Sequence, residues 1–330
     1  MFSFLTHKDY FYIYLNRLMA CNVETTPTDP NLMLELTTVQ TGAFKILIES
    51  LQGQLLDCNV ELIPYYNADG TVNPNSGLKI LALNHKEGML IHVKLDANEF
   101  NRFYCHEKQI LGINMQILHK IIKSLNNNDV LTMRRYKNNL DRTMLNLIIE
   151  NIDRKQKSEY KIQLIDVDSD IMEMTSAKFE AVIIMNSNDF QKACRDLNGL
   201  DTKYIELILS ENTFQMKGEG GLAIGMAEFY DTNSPTSSIT IKRKNELENQ
   251  PSEESEESEE SEDDNDDDYN DIIIRGKYDI KNLMLFTKCT NLCSHIEIYL
   301  KNDYPLLIKY TVASLGYTNL VLSPVVSDEL

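Results

Sequence analysis

The chain has 330 residues, of which 42% are hydrophobic and 25% are charged, and this composition predicts a globular protein about two ordinary domains long. Its formal charge of −18 argues against a nucleic-acid partner, but seven Glu and five Asp lie between Glu253 and Asp268, and without them the charge is −18 + 12 = −6. Six scattered cysteines and the lack of any apolar run near the roughly 18 residues of a membrane span predict a soluble protein with reduced thiols.

Three segments place apolar residues at positions i, i+3, i+4 and i+7, which predicts amphipathic helices. In the first segment, for example, Phe44 and Leu51 begin and end the stripe. A fourth segment carries two lysines seven residues apart, which is also typical of one side of a helix. The four predicted helices cover residues 42–51, 111–125, 188–197 and 279–290.

Basic residues lie opposite the apolar stripe in the second and third predicted helices. Lys120 and Lys123 hold the same register on one helix as Lys192 and Arg195 on the other. The basic face of the first helix is weaker, because only Lys45 lies near it and Ile46 and Glu49 take the later positions. The fourth helix contributes Lys281 and Lys288.

Around the helices the sequence alternates as strands do. Residues 78–83 and 89–95 form one predicted hairpin, and residues 204–209 and 213–218 form another. The first and third helices align at a constant offset of 146 residues, which predicts two similar domains, each a sheet with two helices. The polar stretch 151–170 is predicted to be an extended connector between them.

These residues resemble the eukaryotic-type DNA sliding clamps of the proliferating cell nuclear antigen family. The resemblance runs from about Leu34 to Val326 and implies an α+β DNA-clamp fold. In that fold three subunits form a head-to-tail ring, whose helices line a channel and whose sheets face outward. Its most specific segments are 111–123, 160–168, 190–197, 286–290, 303–310 and 322–326.

The resemblance implies that basic residues on the four helices face DNA in the channel. A solvated helix face is the alternative for any one of them, whereas the shared register on separate helices favours DNA contact for the set. The first helix departs from the family pattern at Ile46, Glu49 and Gln52. The matching residues are Lys45, Lys120, Lys123, Lys192, Arg195, Lys281 and Lys288.

A peptide-binding pocket on the outer face is the second site that the resemblance implies. The connector, a loop of the first domain and the C-terminal segment supply its side chains, and ordinary core packing is the alternative interpretation. The matching residues are Leu83, Leu90, Leu164, Val167, Pro305, Val321 and Pro324.

The predicted domain organisation follows the resemblance. Residues 1–33 have no counterpart in the family and are expected to be a disordered extension or to precede the true start. The first clamp domain is predicted at 34–150 and the second at 171–330, the latter interrupted by an acidic, disordered insertion at about 242–271. Edge strands at 143–149 and 213–218 are expected to join the subunits.

No catalytic motif and no metal-ligand set occur in the sequence, so we expect a protein that is not an enzyme and binds no cofactor. The resemblance implies duplex DNA, further copies of the chain, and clients of the DNA polymerase, clamp loader, flap endonuclease and DNA ligase types as partners, with no membrane. It also implies a place in the nucleus or in a viral replication factory. The alternatives are a subunit of a heterotrimeric checkpoint clamp, or a clamp-fold scaffold that does not encircle DNA.

Overall fold

The computed structural model describes residues 22–23, 29–84, 88–137, 143–151, 153–167, 177–232, 234, 237–243 and 273–325. The chain divides into two compact units. The first contains residues 1–84, 91–172 and 311–318, and the second contains residues 85–90, 173–310 and 319–330. No helix within the described ranges is both long and apolar enough to cross a membrane. The acidic run 253–268 and residues 1–21 lie outside the described residues.

The first unit contains a six-stranded sheet in the order β1-β6-β2-β8-β9-β10. Its neighbours pair in the antiparallel sense except β1, which runs parallel to β6. The strands are β1 (Asn22–Val23), β2 (Leu32–Thr38), β6 (Arg102–Cys105), β8 (Asp129–Tyr136), β9 (Met144–Asn151) and β10 (Gln156–Gln163).

Four more strands and two helices complete the first unit. The strands β5-β4-β3-β7 are hydrogen-bonded in that order. They are β3 (Asp57–Ile63), β4 (Gly77–Asn84), β5 (Met89–Asp96) and β7 (Gln109–Asn114), and the helices are α1 (Thr41–Gln52) and α2 (Met115–Ile122). Leu34 and Leu36 of the six-stranded sheet and Phe44 of α1 surround the same apolar core as Leu62 and Ile113 of the other strands.

The second unit repeats this combination. Its strands occur in the orders β15-β11-β17-β18-β19 and β14-β13-β12-β16. Its helices are α3 (Ser187–Asn198) and α4 (Ile280–Phe286). The strands are β11 (Ala181–Asn186), β12 (Tyr204–Leu209), β13 (Thr213–Glu219), β14 (Ile224–Tyr230), β15 (Ile239–Arg243), β16 (Ile274–Asp279), β17 (His295–Leu300), β18 (Leu306–Val312) and β19 (Gly316–Leu322).

The structure confirms helices α1 and α3 and corrects the bounds of the other two. Residues 111–114 were expected to be helical but belong to β7, where Leu111 and Ile113 are buried. Helix α4 ends at Phe286 and continues as a 3₁₀ helix over 287–292. Periodicity alone misplaced both ends because an apolar run fits a buried strand as well as a helix.

Two segments thought to lie outside the sheets belong to them. The predicted connector 151–170 contains β10, which pairs with β9 along its whole length, so only residues after Gln163 leave the sheet. The predicted extension 1–33 contains β1 and the start of β2 at Leu32. Alternation is weak in both segments, and the pairing partners that make them strands are distant in sequence.

Candidate nucleic-acid and partner interfaces

Three of the four helices start directly after a strand, at an Asn or Asp whose side chain caps the helix. Each capping oxygen accepts a hydrogen bond from a backbone N–H two or three residues on, at 3.0 Å in α2, 2.9 Å in α3 and 2.7 Å in α4. Such caps satisfy N–H groups that lack a partner inside the helix. The capping residues are Asn114, Asn186 and Asp279.

Helix α3 has the apolar and basic faces that the sequence predicts. Phe190 and Cys194 are fully buried in the core of the second unit. Lys192 and Arg195 are exposed on the opposite side. Because the helix starts at its Asn cap, the apolar stripe fixes the rotation that turns both cations to solvent.

Helix α2 presents its basic residues at its C-terminal end. Leu118 and Ile122 are buried, while Lys120 and the C-cap residue Lys123 are exposed. Cations are favoured at this end of a helix because the backbone dipole is negative there. No acidic residue occurs between Met115 and Lys123, so this helix end is positively charged.

The fourth basic segment departs from the predicted geometry. Lys281 and Lys288 are both exposed, but only Lys281 lies in α4. The Thr287 hydroxyl donates to the carbonyl of Met284 at 2.8 Å as the helix tightens into 3₁₀ geometry. The seven-residue spacing therefore does not place the two lysines on one side, although both remain in solvent.

Lys45 on α1 differs from the other six basic residues. Its ammonium donates to the carbonyl of Leu125 at 3.1 Å, and its side chain is half-buried. Glu49, one turn further on, is exposed and has the opposite charge. Among the residues that the structure describes, the six exposed cations form no ion pair. Those six are Lys120, Lys123, Lys192, Arg195, Lys281 and Lys288.

The seven predicted pocket residues share one level of exposure, since each is half-buried and none belongs to a core. Leu83, Leu164 and Val167 lie in the first unit. The other four lie in the second unit, where Val325 donates its backbone N–H to the carbonyl of Lys277 at 2.8 Å. Those four are Leu90, Pro305, Val321 and Pro324.

The start of the connector is held against the first unit by three hydrogen bonds. The N–H of Leu164 donates to Thr143 at 2.8 Å and that of Ile165 to Gly112 at 3.0 Å. The Asn59 side-chain amide donates to the carbonyl of Val167 at 3.0 Å. These contacts fix the backbone on either side of Leu164 and leave the Ile165 side chain 37% exposed.

Gly112 allows this close approach, and sequence reasoning missed it. A Cβ atom on Gly112 would lie 2.0 Å from the carbonyl oxygen of Ile165, well inside contact distance. Any larger residue must push the connector away. Only the pairing partner of this glycine reveals the constraint, and a single sequence does not show that partner.

The strands predicted as subunit edges, 143–149 and 213–218, are interior strands, so that prediction is wrong. β9 lies between β8 and β10, and β13 lies between β12 and β14. The end strands of the two sheets are β10 and β14, together with β1 and β16. Local alternation predicted the strands correctly but carried no information about which strand lies last.

Strand β14 combines an end position with exposed apolar side chains. Ile224, Met226 and Tyr230 are 65%, 58% and 53% exposed. An end strand of this kind is a template for pairing with another chain. The stretch 224–231 carries two acidic residues and no basic one, whereas 154–161, which includes most of β10, carries four basic residues and one acidic residue.

Comparison with known proteins gives one family over the whole described chain. The model of the proliferating cell nuclear antigen N-terminal domain matches residues 33–172, and that of the C-terminal domain matches residues 173–252 and 251–325.

Relatives of similar length come from a virus and a fungus. A probable DNA polymerase sliding clamp 1 of Paramecium bursaria Chlorella virus 1 is 28% identical over 91% of this chain and 99% of its own length. The proliferating cell nuclear antigen of Chaetomium thermophilum is 24% identical over 90% and 100%. A probable DNA polymerase sliding clamp of Acanthamoeba polyphaga mimivirus is 28% identical over 89% of this chain, which spans 62% of that protein.

Proposed function

The chain belongs to the proliferating cell nuclear antigen family, and we propose that it is a sliding clamp that encircles duplex DNA as a ring of three identical subunits. In this proposal it performs no chemistry and holds replication and repair enzymes on DNA. The observation that carries the proposal is the set of six exposed cations on helices of both units, in a chain whose total charge is −18.

The basic residues suit DNA that slides. They lie on separate helices, and each is a single ammonium or guanidinium group in solvent, which attracts phosphate without reading a base. The binding is therefore weak at each contact and strongly dependent on salt. Lys120, Lys123, Lys192, Arg195 and Lys288 carry most of it, and Lys45 contributes less because its ammonium already donates to a carbonyl.

Pairing of β10 in one subunit with β14 in the next would build the ring. Each is the last strand of its sheet, and their neighbouring charges are opposite in sign. Pairing would satisfy the backbone groups on the outer side of both strands and cover Ile224 and Met226. Head-to-tail contact of this kind closes a ring when the rotation between subunits permits it.

Clients bind in this proposal through the half-buried side chains near the connector. The connector backbone accepts an extended peptide, and aliphatic side chains such as Leu164 anchor its apolar residues. The clients are of the DNA polymerase, clamp loader, flap endonuclease and DNA ligase types. The protein works in the nucleus or in a viral replication factory, in keeping with the viral and fungal origin of its relatives.

Two measurements test the function. Light scattering should give three times the chain mass, 3 × 38.0 = 114 kDa. Threading on linear duplex DNA should then leave the protein bound when both ends are blocked after incubation, and lost when the ends stay open. A stable monomer that trimerises only with other subunits would favour a checkpoint-type clamp. A trimer that is lost from blocked and open DNA alike would favour a scaffold that does not encircle DNA.

A further inference from the structure

The six-stranded sheet of the first unit has two buried faces. Its core face carries Leu34, Leu36 and Met133, which line the apolar interior together with α1 and α2. The opposite face, called the outward face below, would be expected to meet solvent. Seven of its side chains are nevertheless at most 6% exposed, namely Glu35, Thr37, Tyr104, Val130, Thr132, Asn146 and Ile148.

Strand register places these residues in rows across the sheet. Thr37 pairs with Thr132, and Thr132 pairs with Ile148. The row begins at Arg102 on β6 and ends at Glu159 on β10, which is exposed. The covered area therefore extends from β6 to β9 and stops before β10.

The corresponding sheet of the second unit behaves differently. On β12 and β13 the core residues Leu207 and Phe214 are buried, as in the first unit. The outward residues Glu206, Ile208 and Gln215 are only half-buried. No outward side chain of its four strands is buried, so a central position in a sheet does not explain the burial in the first unit.

The outward face of the first unit already satisfies its own polar groups. Glu35 accepts hydrogen bonds from Arg134, the shorter at 2.7 Å, and pairs with Arg102 at 3.3 Å. The hydroxyls of Thr37 and Thr132 bond to each other at 3.1 Å. Because these groups are paired, apolar side chains can cover them without leaving a charge alone.

Strand β1 brings the N-terminal segment to this face. Asn22 pairs with Arg102, so residue 21 leaves the sheet at the start of the row through Thr37 and Thr132. Three strand spacings of about 4.8 Å separate β6 from β9, a distance of roughly 14 Å. Even at the helical rise of about 1.5 Å per residue, 21 residues reach roughly 30 Å, which is ample.

The composition of residues 1–21 suits a covering role. The segment holds six of the 27 Phe and Tyr residues of the chain (11 + 16), namely Phe2, Phe4, Tyr10, Phe11, Tyr12 and Tyr14. Aromatic side chains bury large areas, and a tyrosine hydroxyl can bond to polar groups at the margin of an apolar contact.

We propose that residues 1–21 pack on the outward face of the six-stranded sheet of their own chain and cover Thr37, Thr132 and Ile148. The segment thereby becomes a structural part of the first unit. The second unit has no equivalent segment at its four-stranded sheet, which explains why that sheet keeps its outward side chains in contact with solvent.

Thiol labelling tests the proposal. Ile148→Cys on the outward face and Ile208→Cys at the corresponding position of β12 are each labelled with a maleimide in the full chain, and the labelled peptide is quantified by mass spectrometry. Removal of residues 1–21 should raise the rate at position 148 at least tenfold and leave the rate at position 208 within twofold. Equal rates at position 148 with and without the segment would overturn the proposal.

Two further variants keep the test decisive. If the shortened chain fails to fold, Phe11→Asp with Leu15→Asp in the full chain should raise labelling at position 148 in the same way, and an unchanged rate would count against the proposal. The shortened Ile148→Cys chain is also mixed with an excess of full chain that lacks the substitution. Restored protection would mean that a second copy supplies the segment, which contradicts cover by the same chain.

Discussion

The two units use the same local plan and present different surfaces. In both, a strand ending in Asn leads into a helix through a side-chain cap, at Asn114 in the first unit and Asn186 in the second. The surfaces differ because α1 engages Lys45 with a backbone carbonyl, whereas α3 leaves Lys192 and Arg195 in solvent. The apolar stripe thus sets the fold, and the partner of each outer face sets its chemistry.

The largest expected effect concerns the sheet ends, where β14 of the second unit exposes apolar side chains and β10 of the first exposes mainly polar ones. Met226→Asp should convert the trimer to monomers, because pairing would bury the new carboxylate between two strands. Light scattering would report a fall from 114 kDa (3 × 38.0) to 38.0 kDa.

Val72→Asp is the matched control for this substitution. Val72 is 52% exposed, close to the 58% of Met226, but it lies outside the named strands in the first unit. Its carboxylate should leave the trimer intact. Dissociation by both variants, or by neither, would remove β14 from the subunit contact.

The second effect concerns the connector of the first unit. Leu164→Asp should abolish binding of a peptide with a Gln, an aliphatic residue and paired aromatic residues, because the carboxylate would be desolvated under the aromatic anchors. Gln163→Asp adds the same charge at an exposed neighbour and should bind normally. Calorimetry decides, and equal affinity for the Leu164 variant and the unmodified protein would refute the pocket.

The third effect compares the helices directly. Replacing Lys120, Lys123, Lys192, Arg195 and Lys288 with Ala should lower the slope of log affinity against log salt by up to about 0.9 for each lost phosphate contact. Lys45→Ala alone should change it less than Lys120→Ala alone. Fluorescence titrations at several salt concentrations measure this, and an unchanged slope in the fivefold variant would exclude these residues from DNA binding.

Sequence reasoning predicted what depends on neighbours along the chain. The stripes of α1 and α3, the hairpin of β12 and β13, and the exposure of six cations are all local features, and the structure confirms them. It could not find the sheet ends, the role of Gly112 or the buried outward face. Those depend on which strands become neighbours, and a two-residue alternation is the same in an interior strand and at an edge.

A fourth prediction uses His92, which has no counterpart among the described histidines of the second unit. Burial, together with Lys79 and Lys94, lowers the pKa of this ring to about 4, and the ring lies 5.8 Å from that of Tyr317. The unfolded chain binds a proton near pH 6.5 and the folded chain does not, so stability is complete above pH 6.5 and falls as the pH approaches 4. The share of His92 is about 1–2 kcal/mol, because some solvent reaches the ring.

His92→Gln should therefore flatten the loss of melting temperature between pH 6.5 and 4. His295→Gln, at an exposed site of the second unit, should leave that loss as it is. Calorimetric scans at half-unit pH intervals would separate the two. Parallel curves for the His92 variant and the unmodified protein would show that the ring is protonated equally in the folded and unfolded chains.

The smallest expected effect is that of the acidic run, which belongs to the second unit alone. Strand β15 ends at Arg243, whose side chain donates to Ser210 at 3.1 Å, and β16 begins at Ile274, so both strands are secured by contacts outside the run. Deleting residues 246–270 removes nine Glu and five Asp and changes the charge from −18 to −4 (−18 + 14). So acidic a stretch cannot bury enough apolar area to offset its ordering entropy, and we expect the melting temperature and the trimer mass to stay the same. DNA affinity should also change little at 0.15 M salt, where the Debye length is about 8 Å, and rise at 0.01 M, where it is about 30 Å. A large fall in melting temperature would instead make the run a structural part of the second unit, as residues 1–21 are proposed to be of the first.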